Sequence, residues 1–112
     1  MHNIGLPLAI FLLAYVVGSF PSAYLIGRMK GINIFDVGSG NMGANNITRT
    51  LGFKWGLVVV AMDVTKGVAG VLLGRVLMPG DQISGGVIGA IAVVVGHNWS
   101  LLATILTGRL RG

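Results

Sequence analysis

The sequence predicts an all-α integral membrane protein with three transmembrane helices and a Gly-rich loop between the first and the second. Three observations carry this reading. Of the 112 residues, 54% are hydrophobic and 10% are charged, whereas a soluble domain carries about a quarter charged residues. The mean hydropathy is +0.84. The few charges interrupt long apolar runs and do not gather on a polar domain.

The first run, 4–27, contains no Lys, Arg, Asp or Glu. As a helix it reaches roughly 36 Å, against about 30 Å of hydrocarbon. Pro7 falls in its first turn, where proline costs little. Pro21 lies well inside, so it is expected to kink or end the helix and free a carbonyl near Val17. The second run, 55–78, is broken by Asp63 and Lys66 and closes on the turn Met78-Pro79-Gly80-Asp81. The third, 82–108, carries no formal charge apart from His97. The chain is thus expected to be one membrane domain, 1–112, with 28–54 as a loop.

Arg28, Lys30, Arg49 and Lys54 lie in that loop, and a third span returns Arg109 and Arg111 to the same side. The opposite side receives only Arg75. This bias places the Gly-rich loop in the cytoplasm and the N-terminus outside. The formal charge of +5 suits anionic lipid headgroups and phosphorylated substrates, and no nucleic-acid partner is expected. Met1-His2-Asn3 lacks the basic start of a signal peptide. The absence of cysteine excludes disulfides and thiolate chemistry. With His2 and His97 as the only imidazoles, neither a zinc nor an iron–sulfur site is expected.

Nineteen glycines need a reason. Gly52/Gly56, Gly70/Gly74 and Gly85/Gly89 have small-xxx-small spacing, which lets helix backbones approach closely. They predict that the spans pack against other helices and name no function.

The informative segment is Asp36-Val-Gly-Ser-Gly-Asn-Met-Gly-Ala-Asn-Asn-Ile-Thr-Arg49. Gly38, Gly40 and Gly43 permit positive φ and close backbone approach, so successive N–H groups can form an anion nest. Ser39, Asn41, Asn45, Asn46 and Thr48 add neutral hydrogen-bonding groups. Arg49 can grip a phosphate with two parallel bonds. A short helix starting near Asn41 would add its positive N-terminus. A flexible surface loop is the plainer alternative, but donors, arginine and an interfacial position coincide here. Neither a dinucleotide fingerprint nor a P-loop is present. Arg28 and Lys30 serve either as topology determinants or, for Arg28, as a partner for a second phosphate.

Asp63 and Lys66 stand at i and i+3, share a helix face and can pair. A charge at the bilayer centre costs roughly 2.5–3.5 kcal/mol on insertion scales and faces a bundle interior or a wet cavity. Helical rise places Asp63, Lys66 and His97 at about 14–18 Å from the basic boundary. A self-neutralising pair and a functional polar cleft both fit.

Gly18-Ser-Phe-Pro-Ser-Ala-Tyr24, Gly38-Ser-Gly-Asn-Met-Gly-Ala-Asn-Asn46 with Arg49 and Gly52, Asp63-Val-Thr-Lys-Gly67 and Gly96-His-Asn-Trp99 follow one another in order. Together they resemble the bacterial acyl-phosphate-dependent glycerol-3-phosphate acyltransferases, the PlsY family, over nearly the whole chain. The resemblance implies transfer of a fatty acyl group from acyl phosphate to glycerol 3-phosphate in a bacterial inner membrane. The products would be lysophosphatidic acid and phosphate, the first step of phospholipid synthesis. It also implies essential roles for Ser39 and Arg49. Acyl phosphate is already activated, so neither a protein nucleophile nor a cofactor is required, and positioning supplies much of the rate. Ser39 is accordingly expected to orient substrate, since no base is evident beside it, and Arg49 to clamp phosphate. His97 is the third candidate catalytic residue. Gly38, Gly40, Asn41, Gly43, Asn45, Asn46, Arg28 and Lys66 are the candidate substrate-binding residues.

Two departures accompany the resemblance. Asn45 stands where the family's loop usually has Thr. Family members are nearly twice as long and continue into a Gly-Gly-Lys-Gly phosphate loop and a later His/Asn motif. This chain therefore looks like the N-terminal part of such an enzyme, complete only with a C-terminal part or partner helices and doubtful in activity alone. A non-catalytic module for phosphorylated lipids or partner helices is the alternative. A small transporter is disfavoured by the lack of a second inverted repeat.

Overall fold

The computed structural model describes residues 4–100 and 103–105. Those residues form helices and turns only: α1 (Gly5–Gly18), α2 (Ser22–Met29), a 3-10 turn (Ile34–Asp36), α3 (Ala44–Leu51), α4 (Phe53–Leu77) and α5 (Gln82–Asn98). Three stretches, Gly5–Met29, Phe53–Leu77 and Gln82–Ile105, are long and apolar enough to cross a membrane. The chain is therefore an all-helical integral membrane protein. The expected end of the third run at Gly108, with Arg109 and Arg111, lies outside the described residues.

Pro21 divides the first stretch. It lacks an N–H and cannot continue the ladder from α1, so α1 stops at Gly18 and α2 restarts at Ser22. The carbonyl expected to be free is satisfied locally, because Phe20 N–H donates to Val17 at 3.3 Å. The carbonyls left for tertiary use are those of Ser19 and Phe20. Ser100 Oγ donates to the first, and Lys66 Nζ donates to the second at 2.9 Å. A local break thus becomes the point where α4 and the end of the third stretch are tied to the first.

Glycine governs how closely the helices approach. On α4 and α5, Gly70 faces the backbone of Gly89, and Gly74 faces that of Gly85, so any Cβ there would meet a carbonyl. On α1, Gly18 lies against the backbone of Val93, while Gly96 lies against that of Tyr15. The Gly52/Gly56 pair behaves differently from expectation. Gly52 takes φ 103° at the junction of α3 and α4, a conformation that side chains resist. Gly56 makes room for Thr48 of α3. This pair folds α3 back against the start of α4 and is not a crossing of two spans.

The segment 28–54 is more than the loop that the sequence suggested. Ile34, Phe35, Met42 and Ile47 are buried with Ala23, Ile26, Val59 and Ala103 in one cluster, which seats the segment on an apolar core shared with α2, α4 and the end of the third stretch. Lys30 Nζ lies 4.2 Å from the ring centroid of Trp55, joining the end of α2 to the start of α4. Phe53, Leu57, Val60, Val64, Val68, Leu72 and Val76 are exposed along α4. Apolar exposure over the whole length of a helix suits a lipid environment, in which backbone groups must be bonded internally.

Candidate phosphate site

The polar face of this folded segment holds a cleft of about 450 Å³, lined by Ser39, Asn41, Gly43, Ala44, Asn45, Asn46 and Arg49. Two positive-φ glycines shape the turn before it, Gly38 at 53° and Gly40 at 74°. Gly40 N–H closes the turn on Val37 at 2.9 Å. A Cβ on Gly38 would strike Asn46 Oδ1. Neither glycine lines the cleft; both bend the chain so that its neighbours do.

Gly43 corrects the expectation made for it. Its φ is −145°, extended backbone open to any residue, and a Cβ there would meet nothing within 4 Å. It caps α3, and no side chain caps that helix. The first N–H groups of a helix lack intrahelical partners, so α3 offers bare amides and a partial positive charge to the cleft. The helix starts at Ala44, three residues after the expected start at Asn41.

Asn45 and Arg49 are one helical turn apart, on the same face of α3, and both are exposed. Ser39 Oγ accepts from Asn41 N–H at 3.4 Å, which leaves its own hydrogen to donate. No imidazole or carboxylate is among the lining residues, so nothing in the cleft would activate Ser39 as a nucleophile. Asn46 also departs from expectation. Its side chain is buried, and Nδ2 donates to the carbonyls of Ile34 at 3.1 Å, Val37 at 2.9 Å and Asn41 at 3.0 Å. An amide with two hydrogens and three acceptors has none to spare for a ligand. Asn46 holds the loop in shape.

Other candidates lie elsewhere. Arg28 is exposed at the end of α2 and does not line the cleft. Lys66 and His97 line a separate cavity of about 220 Å³ with Asp63, Gly67, Val93 and Val94. Lys66 Nζ pairs with Asp63 Oδ1 at 3.2 Å and stands 3.0 Å from His97 Nδ1. The similar depths inferred from helical rise thus become direct contact. Two participants escaped the sequence reading: the backbone of Ala44, which has no side-chain signal, and the carbonyl of Phe20, for which Pro21 was a displaced clue.

The family model described as glycerol-3-phosphate acyltransferase matches residues 8–110. The chain belongs to that family. Among curated glycerol-3-phosphate acyltransferases, one from Desulforudis audaxviator is 45% identical over 100 residues, covering 88% of this chain and 48% of the relative. One from Thermus thermophilus is 44% identical over 98 residues, with the same coverage. A solved relative is the integral membrane glycerol 3-phosphate acyltransferase PlsY (YgiH), crystallised in its glycerol 3-phosphate form. It superposes with a TM-score of 0.72 at 32% identity, covering 88% of this chain and 48% of that one. The chain therefore spans about half the length of the family members it matches.

Proposed function

We propose that this chain forms the N-terminal, phosphate-holding half of an enzyme that acylates glycerol 3-phosphate with acyl phosphate. The observation that carries the proposal is the cleft itself, where an uncapped helix N-terminus, Ser39, Asn41, Asn45 and Arg49 converge on a space of about 450 Å³. The relative crystallised in its glycerol 3-phosphate form supports glycerol 3-phosphate as one occupant.

In the reaction, a hydroxyl oxygen of glycerol 3-phosphate bonds to the acyl carbonyl carbon. The bond from that carbon to the bridging phosphate oxygen breaks, and the hydroxyl proton leaves with the released phosphate. The products are lysophosphatidic acid and inorganic phosphate. Arg49 and the α3 amides hold a dianionic phosphate, Ser39 and Asn45 orient it, and fixed position replaces the need for a covalent intermediate. The proposed setting is a bacterial inner membrane, with the cleft facing the cytoplasm.

The test is formation of lysophosphatidic acid from acyl phosphate and glycerol 3-phosphate in lipid nanodiscs. The chain is assayed alone and with the C-terminal half of the Desulforudis relative supplied in trans. Turnover is expected with both pieces and abolished by Arg49→Ala. Glycerol 3-phosphate binding that persists with no turnover in the combined sample favours a non-catalytic phosphate module.

A further inference from the structure

Lys66, expected from the sequence to bind substrate, is better explained as a positioning residue. We infer that it fixes His97 in the tautomer with hydrogen on Nε2, which makes His97 a neutral hydrogen-bond donor and not a proton acceptor. The consequence for acyl transfer rests on the function proposed above; the tautomer does not.

Lys66 is 6% exposed. An ammonium has three hydrogens and no lone pair, and three acceptors surround this one. They are Phe20 O at 2.9 Å, His97 Nδ1 at 3.0 Å and Asp63 Oδ1 at 3.2 Å. Two of its hydrogens are thus committed to Phe20 and His97, and its charge is paired with Asp63. The Asp63 carboxylate balances the charge, and the Phe20 carbonyl is available because Pro21 interrupts the first helix. The cluster therefore joins three segments that are distant in sequence.

The nitrogen of His97 facing an ammonium must present its lone pair. A reversed arrangement, with Nδ1–H donating to Asp63, is less well served by geometry, because that oxygen lies 4.0 Å away. With Nδ1 accepting, the single hydrogen of a neutral ring sits on Nε2. His97 is partly exposed and lines the cavity of about 220 Å³. Nε2–H can donate to a carbonyl or phosphate oxygen, but it has no lone pair with which to take a hydroxyl proton.

The experiment is 15N NMR of the chain in nanodiscs, carrying His2→Gln so that His97 is the only imidazole and labelled in its ring. At neutral pH the expected spectrum shows protonated Nε2 and unprotonated Nδ1. Lys66→Met should release the constraint, so that signal from the Nδ1–H form appears, and Lys66→Arg should restore Nε2–H. An Nδ1–H or doubly protonated ring in the otherwise native chain overturns the inference. So does a Lys66→Met spectrum unchanged from the native one. Should Lys66→Met fail to fold, the Nδ1 signal with Lys66 in place decides: acceptance from an ammonium shifts it upfield of a bare imidazole nitrogen, and a bare value overturns the inference. An Nε2–H ring without acyl transfer would leave this inference standing and remove the proposed function.

Discussion

Asn46 turns its amide inward to the carbonyls of Ile34, Val37 and Asn41, whereas Asn45, one position earlier, is exposed in the cleft. The two therefore predict opposite phenotypes. Asn46→Ala should lower stability by roughly 2–4 kcal/mol, since three loop carbonyls lose the donor they share, as read by denaturant titration. Asn45→Ala should leave stability within about 0.5 kcal/mol and weaken glycerol 3-phosphate binding, as read by calorimetry. Arg49→Ala should behave like Asn45→Ala but more severely, with affinity falling about 10- to 100-fold, because hydrogen bonds to a charged partner are worth about 1.5–3 kcal/mol. An Asn46→Ala protein of native stability would contradict the division of labour drawn here. Pattern alone could not separate these neighbours, because both fit a donor-rich loop. Helical phase and burial separate them.

At the level of elements, the α4–α5 contact is set by backbone meeting backbone. A Cβ on Gly74 would collide with the carbonyl of Gly85, so the helices must separate to admit it. Gly74→Ala should destabilise by about 1–3 kcal/mol through overpacking, although alanine is favoured over glycine in a helix by about 1 kcal/mol. Gly43→Ala meets open space and should leave stability nearly unchanged, and comparing the two variants' unfolding midpoints checks both. At the other end of this pair, Asp81 caps α5 by accepting from Ser84 N–H at 3.2 Å. Hydrogen bonds from the Ser84 side chain and then its backbone hold the Asp81 carboxyl below its usual range. A lowered folded pKa means stabilisation that is present above the unfolded value, about 3.9, and lost as pH falls through the folded one. The stability difference between the native chain and Asp81→Ala should therefore shrink on acidification, in unfolding measured across that range. The glycine spacings at 70/74 and 85/89 were legible as contact sites. The role of Gly52 was not, because spacing does not reveal a positive φ.

The described residues form a set of helices with an apolar exterior, a folded polar cap and a charged cluster built around the buried Lys66. Lys30 and Lys54 lie near the cap, and the turn at Pro79-Gly80 lies at the far end of α4. Because the chain has no cysteine, single cysteines at Lys54 and Gly80 provide clean reporters. They should react with an impermeant thiol reagent from opposite faces of sealed vesicles, Lys54→Cys from the cytoplasmic face. Labelling of both from one face would remove the three-span topology. Composition and run length were enough to determine the membrane class, the helical spans and the donor-rich character of 36–49. Those features depend on local solvation and on residue chemistry along the chain. Only the tertiary structure decided that Asn46 braces the loop, that Gly43 leaves a helix end open, and that Lys66, besides pairing with Asp63, donates to Phe20 and meets His97. Each of these depends on which atoms fill the remaining hydrogen-bonding positions of a group, and those atoms come from segments that only folding brings within about 3 Å.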